Sequence, residues 1–502
     1  MPSAIQPRMI ETPGAGLIRH VDPRHVPERS WAAGRNIRFP TGGSTVRKTD
    51  GYQRVDNTLP AEPIRGLWWY VDPDGVMPQT LVRIGTTVAI QGLGSASTAF
   101  AAFTDRSQDD VVTIDQYMGR LIWADGKQVL HWTGTGLATV LGGGAPTAKL
   151  VEIHTDHVLL GHITAPEKAP WRVQYSTRGL INDETGEVDF TGDTGGDLDF
   201  LDDSTGLTAL KTLGEHVVVH KPNRLYRMMY VGPPEPYIYE SIPADEGSIS
   251  ARGPISVGSY QYYPGHTNMF RLGSFAEPIG DAIWPEIAAA IDWPQAHLTY
   301  AYRRDQFDEI CWKFPTRGVE QPSLTAVYNH RDQTWSVTDH DPGTAFTQVP
   351  SNALPGTAFD DAHAPVSPPS VRDVFGQIDG KILVYTGRNA DGAPIHAWVE
   401  SRHFTDQLAP AKILAVPVMA TGNGTLIVQL RAAMEARTPL PPWPASPHAS
   451  AFYPLPASQT RPWVDVRAYG RLWQVRLESN RADDDWAVAA YGTAVIPGGY
   501  AR

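Results

Sequence analysis

A short element recurs through the middle of this chain: a Gly or Asp turn followed by about four to six apolar residues. It is clearest from Leu210 to His220, where a strand, the turn at Gly214 and the β-branched run Val217, Val218 and Val219 follow one another. A turn at Pro222 and Asn223 then leads into a second, aromatic strand, the rhythm of an antiparallel meander. Similar strand-pair signals run from Ile64 to Gln91, Val111 to Thr133, Lys149 to Gln174, Leu207 to Val231, Ile255 to Ile279, Leu298 to Asp339 and Val374 to Arg388. Aligned at Leu121, Val158, Val217, Met269 and Leu383, the elements are spaced by roughly 40 to 60 residues, with a last gap about twice as long that holds an extra unit. A four-stranded propeller blade needs that much chain. The expected fold is all-β: a β-propeller-like repeat array of about six or seven blades over residues 60–400. A pair of β-sandwiches with similar strand lengths is the alternative.

Three segments break the rhythm. Asn182 to Asp203 is polar, Gly-rich and acidic, and reads as a projecting insertion; Ala353 to Ser370 is a Pro/Ala/His loop without periodicity. Trp284 to Ala290 is the best short-helix candidate, with Ile283, Ile287 and Ile291 at helical spacing. The chain ends read differently again. Residues 1–59 are basic and Pro-rich, and residues 401–502 carry strands at Ile413 to Thr421, Gly424 to Arg431, Trp463 to Ala468, Gly470 to Glu478 and Trp486 to Ile496. Prolines crowd the stretch 438–462 and are expected to forbid regular pairing there. The N-terminal arm and the C-terminal region together are expected to form an additional β-sandwich or platform domain.

With 46 Gly and 43 Pro, turns are frequent and long helices few. The single cysteine, Cys311, rules out an intrachain disulfide and a thiolate zinc site, which fits folding in a reducing cytoplasm. The first residues lack a basic region followed by an apolar one, and no long uncharged apolar run occurs, so neither signal-peptide export nor a membrane-spanning segment is expected. The formal charge of −12, from 54 acidic and 42 basic residues, argues against a sequence-specific nucleic-acid reader, which needs a basic patch. It suits a conduit, because an acidic wall keeps a duplex from sticking.

Nine carboxylates crowd the acidic segment. Asp193, Asp197 and Asp199, with glycines between them, are weak candidates for a cation site, without EF-hand spacing or its closing Glu. Asp183, Glu184, Glu187, Asp189, Asp202 and Asp203 are candidates for an interface or a lumen. The pairs His154/His157 and His216/His220 lie in expected strands, where a spacing of three or four does not converge on a metal, and they read as structural. No Gly-x-Ser-x-Gly elbow occurs, and Gly142-Gly143-Gly144 lacks the Lys-Ser/Thr of a phosphate loop. No cofactor and no catalytic residue is expected.

Several of these runs carry a resemblance. The Gly214-Glu215 turn with its Val-Val strand, the strand from Lys221 to Tyr226, the turn Tyr230-Val231-Gly232 and the closure Pro278-Ile279-Gly280 resemble the tail hub, or nozzle, proteins of short-tailed bacteriophages. That likeness covers residues 150–285. The segment Val46 to Tyr52 and the tail Arg467 to Leu477, ending on Pro497-Gly498-Gly499, resemble the two ends of such chains. The resemblance implies a non-enzymatic virion protein, made and assembled in the host cytoplasm. It implies a homohexameric ring below the portal and adaptor that extends the DNA-ejection channel, meets a tail plug or needle, and docks tail fibres or spikes. Genomic DNA would pass without sequence-specific binding. The alternative from another class is a propeller that degrades or binds polysaccharide, which as an enzyme would need two carboxylates facing one cleft.

Overall fold

The recurrent turn-and-strand element closes into blades. In the computed structural model, which describes residues 6–56, 61–72, 75, 79–92, 97–107, 109–179, 188–192, 194–319, 321–340, 343–353, 371–405, 410–434, 440–443, 450–455 and 463–496, seven four-stranded antiparallel sheets are arranged as a β-propeller. Blades 1 to 6 are sequential meanders whose innermost strands are Gly66–Tyr70, Thr113–Tyr117, Thr147–His154, Ala209–Leu213, Ile255–Val257 and Tyr300–Arg304. Blade 7 takes Ala345–Pro350, Val371–Gly376 and Ile382–Tyr385 from the end of the array, and its outer strand, Tyr52–Asp56, from before its start. The ring is therefore locked by pairing Tyr385 with Tyr52 and Ile382 with Asp56. The inner strands of blades 1 and 7 also meet, where the Trp69 N–H donates to Thr347 Oγ1 at 3.2 Å.

The two chain ends build the second unit, an eleven-stranded sheet of Gln6–Glu11, Ala33–Arg35, Ile37–Arg38, Val46–Lys48, Ala397–Glu400, Phe404–Thr405, Ala411–Ala433, Ser450–Leu455, Trp463–Gly470, Leu472–Ser479 and Asp485–Ile496. Its organising strand, Ala411–Ala433, pairs with four neighbours, and positive φ at Gly422 (138°) and Gly424 (90°) lets it bend between them. Strand Trp463–Gly470 alternates cleanly: Val464 and Val466 point into the core, while Trp463, Asp465, Arg467 and Tyr469 face outward.

Two boundaries and one segment differ from expectation. Residues 52–56, assigned from the sequence to the N-terminal arm, belong to the propeller, and Ala397–Glu400, assigned to the propeller, belongs to the platform. The Pro-rich stretch holds a paired strand, Ser450–Leu455, in which Pro454 opposes Thr425. Among the described residues that strand pairs on one side only, and an edge tolerates a residue that has no N–H to give. The loop expected at 353–370 lies, beyond residue 353, outside the described residues.

The platform does not hang from the propeller on a linker. The Leu17 N–H donates to Trp335 O and the Asn36 N–H to Val337 O, both at 3.0 Å, so the N-terminal segment covers the outer edge of blade 6. One apolar core then continues through both units: Trp312, Phe314 and Trp335 of blade 6, Met269 of blade 5, the helix Trp284–Ala290, and Trp31, Val418 and Tyr491 of the platform. Beside it runs a buried ionic chain. Arg38 of the platform reaches Asp50 (2.9 Å) and Glu309 of blade 6 (3.0 Å), and Arg304 joins Glu309 (3.2 Å) to Asp373 of blade 7 (3.0 Å).

Candidate functional site: the propeller channel and the acidic segment

Inner strands of a propeller converge on its axis, where little room is left for large side chains, and the residues placed there either line a channel or reach across to the next blade. Here the channel is a cavity of about 230 Å³. Its walls are mainly apolar, with Trp68, Ile114, Leu210 and Phe346, and its charged groups are Glu152, Lys211 and Arg252.

The charged side chains of the inner strands hold blades together. Asp115 of blade 2 accepts the N–H of Ile153 in blade 3 at 2.9 Å and that of its own neighbour Gln116 at 2.8 Å. Glu152 of blade 3 repeats the device one blade on, accepting the Thr212 N–H of blade 4 at 2.8 Å and the Lys211 ammonium at 3.0 Å. The Ser256 hydroxyl of blade 5 then donates to Thr212 O at 2.6 Å. Burial, followed by the like charge of Glu152, pushes the Asp115 carboxyl up to about 6. Burial opposes the charge of Lys211, but Glu152 and Asp115 outweigh it and raise its pKa. All four carboxylate oxygens of Asp115 and Glu152 thus already accept a hydrogen bond, which leaves this acidic pair poorly prepared to act as acid and base on a substrate.

One end of the channel is crossed by Arg252, which follows blade 4 in sequence. Its guanidinium donates to Arg65 O at 2.8 Å and Thr344 O at 3.3 Å, at the entries of blades 1 and 7. Burial lowers its pKa to about 10.

The histidine pairs sit in strands and take separate partners. His154 and His157 face each other across the hairpin turn at Thr155 and Asp156, yet His154 Nδ1 lies 3.1 Å from the Tyr237 hydroxyl and His157 Nδ1 lies 2.6 Å from Ser176 O. His220 is fully buried between blades 4 and 5: its Nε2 faces Gln261 Oε1 at 2.8 Å and its Nδ1 accepts the Ser248 N–H at 3.1 Å. Burial lowers all of His154, His157, His216 and His220, the last to about 4, so each is neutral at pH 7. Cys311 is buried in blade 6 among Tyr300, Tyr302 and Phe375.

The acidic segment is more embedded than its composition implies. Asp183, Glu184, Glu187 and Asp193 lie outside the described residues. In the rest, Val188, Phe190 and Phe200 are buried, and Gly196–Asp199 is the outer strand of blade 3, paired with Arg172 to Tyr175. The expectation of a projecting insertion is corrected there: a few apolar anchors between the carboxylates tie the chain to the blade. Asp199 holds Arg172 through two bonds of 2.6 and 2.8 Å, the first cause of its lowered pKa, and Asp197 lies 3.2 Å from the same guanidinium. These two proposed cation ligands therefore face a cation of the protein's own. Asp189 caps a turn by accepting the Thr191 N–H and hydroxyl. Asp203 pairs with the buried Lys221 ammonium, and Asp202 lies 3.6 Å from Lys221 and 3.0 Å from Arg224. None of the described members of the segment lines the propeller channel. Among the described residues no group of three or more His, Cys, Asp or Glu is placed to hold a metal ion, and no helix is long and apolar enough to cross a membrane.

Asp115, Glu152, Lys211 and Arg252 were not singled out from the sequence. For the first three the signal was a charged residue interrupting the first strand of successive units, which appears only when first strands are aligned with first strands; Arg252 lies just before the first strand of blade 5.

No family model matches this chain, and no curated protein matches it. Among solved structures, the Pan2 WD40 domain of Neurospora crassa matches at a TM-score of 0.37 and 12% identity, over 66% of this chain and 90% of that one. BBS1N, solved in complex with ARL6DN and soaked with mercury, matches at 0.38 and 10% identity, over 68% of this chain and 99% of that one. At these scores the propeller assignment rests on the strand pairing of the chain itself.

Proposed function

We propose that this protein is a structural component of a bacteriophage short tail, a nozzle or hub subunit that assembles as a ring, extends the DNA-ejection channel below the portal and adaptor, and carries fibres or spikes on its flank. The reading rests on the resemblance over residues 150–285. The structural observation that supports it best is the way the inner surfaces are spent on the fold itself. Carboxylates of the inner strands staple one blade to the next, and Arg252 crosses the mouth. What remains for other molecules is the outside, including a platform face that presents Trp463, Tyr469 and Met419 to solvent. A channel of about 230 Å³ holds no duplex, so DNA would run between subunits and not along the propeller axis. The formal charge of −12 suits such a wall.

Electron microscopy of purified virions labelled with antibody to this chain tests the reading. The expected result is label confined to the tail at a ring below the portal. Virions without label, or a chain that stays monomeric and binds polysaccharide on a glycan array, would overturn it in favour of a sugar-directed propeller.

A further inference from the structure

Arg252, which is half-buried, meets a fully buried arginine, Arg65, where the channel closes. Arg252 gives Nη1 to Arg65 O (2.8 Å) and Thr344 O (3.3 Å) and Nη2 to Leu298 O (3.5 Å), and it lies 5.4 Å from the ring centroid of Tyr300. Arg65, only 3% exposed, gives Nε to Gly85 O (2.9 Å) and Nη1 to Asp110 O (3.4 Å). Every one of these acceptors is a neutral carbonyl. The acids that act on Arg65, namely Asp125, Asp110 and Glu62, do so through space and not through a hydrogen bond; Asp110 accepts the Ser107 N–H (2.8 Å) and the Lys127 ammonium (3.1 Å) at its Oδ2. Among the described residues, each guanidinium also retains a buried nitrogen without a hydrogen-bond partner, Nη2 of Arg65 and Nε of Arg252.

Both arginines line one small cavity of about 20 Å³, walled further by Asp110, Ile64, Leu298, Pro322 and Thr344. Two guanidiniums share this partly apolar recess with one carboxylate, Asp110, which is itself paired with Lys127, so positive charge is left in excess and is unfavourable unless something neutralises it. We propose that this cavity binds a small monatomic anion, a halide such as chloride, held between the Arg65 and Arg252 guanidiniums. Size decides the class: the space admits about one water-sized sphere, which excludes phosphate, sulfate and a carboxylate from a partner. Position gives the consequence. Arg252 ties blade 5 to carbonyls at the entries of blades 6, 7 and 1, so an anion that stabilises its charge strengthens the closure of the ring.

The test uses the full chain in sodium bromide, sodium chloride and sodium gluconate at equal ionic strength. The expected result is a thermal midpoint that rises saturably in the halides by roughly 2 °C. Crystals grown in bromide should show one anomalous peak between the two guanidiniums. The variant Arg65→Gln should lose the saturable rise; should it fail to fold, the wild-type measurements decide alone. Equal midpoints in all three salts, or a water without anomalous signal at that position, would overturn the proposal. A halide-dependent shift without the peak would place the anion elsewhere and overturn it equally.

Discussion

Between blades 2, 3, 4 and 5 the inner strands meet through polar atoms, Asp115 to the Ile153 N–H, Glu152 to the Thr212 N–H and the Ser256 hydroxyl to Thr212 O, and one strand further out His220 meets Gln261. Where blade 6 meets the platform, a single apolar core containing Trp31, Trp312, Trp335 and Tyr491 crosses the boundary. The difference follows from geometry. Near the axis inner strands are close and their backbones leave unpaired N–H groups that a short carboxylate, hydroxyl or amide can reach, whereas at the rim blades diverge and the gap takes tryptophan. Polar seams give register at modest net energy, because each bond replaces one to water. The apolar joint gives bulk stability. It should be indifferent to pH, and the polar seams should not.

Replacing Trp312 by Ala strikes the apolar joint and should have the largest effect. The side chain is fully buried in the shared core, and its Nε1 donates to Gly253 O at 3.0 Å. The expected loss is about 4 kcal/mol, at any pH between 5 and 8, measured by urea unfolding. If platform and propeller are one cooperative unit, tryptophan fluorescence and far-ultraviolet circular dichroism should shift together. Two separated transitions would show that the shared core does not couple them.

The polar seam at His220 should respond to acid. Its folded pKa, about 4, lies below the ordinary 6.5, so folding favours the neutral ring. The stability this contributes is fully present above pH 6.5 and is lost as pH falls toward 4, by about 3 kcal/mol over that window. His220→Leu should flatten the window while lowering stability at pH 7, because the Ser248 N–H and Gln261 lose their partner. An unchanged acid slope in the variant would assign the effect to another group.

The same contrast governs what the sequence made legible. Apolar periodicity was readable: the helix Trp284–Ala290 and the blade-sized units appear where the pattern placed them, and the count of about six or seven resolves to seven. Register within a blade was not. Leu121, Val158 and Val217 fall in second strands, but Met269 and Leu383 fall in third strands, because every strand of an antiparallel meander follows a similar turn. Closure of blade 7 by Tyr52–Asp56 depends on pairing across more than three hundred residues and leaves no local mark. Asp115 and Glu152 escaped notice for a related reason: one charge in an alternating strand reads as solvent-facing, and only the radial arrangement turns it toward the next blade. Of the acidic segment, its charge was plain, while its attachment through Phe190 and Phe200 was hidden among nine carboxylates.

Asp115 offers the smallest and most discriminating experiment, because its seam should respond to pH in the direction opposite to that of His220. Its folded pKa, about 6, lies above the ordinary 3.8, so the folded chain holds a proton that the unfolded chain releases. The contribution is fully present below pH 3.8 and is lost as pH rises through 6. Asp115→Asn keeps one acceptor for the Ile153 N–H but sets an NH₂ group near the second N–H that the carboxylate served, so absolute stability is a poor readout. The difference between variant and wild type is the useful quantity: it should move in favour of the variant by about 1 kcal/mol between pH 4 and pH 7, less than an isolated shift of this size because the charges of Glu152 and Lys211 act on Asp115 in opposite directions. A difference that stays constant across that range would mean that Asp115 ionises without penalty, and that the seam between blades 2 and 3 is as insensitive to pH as the platform joint.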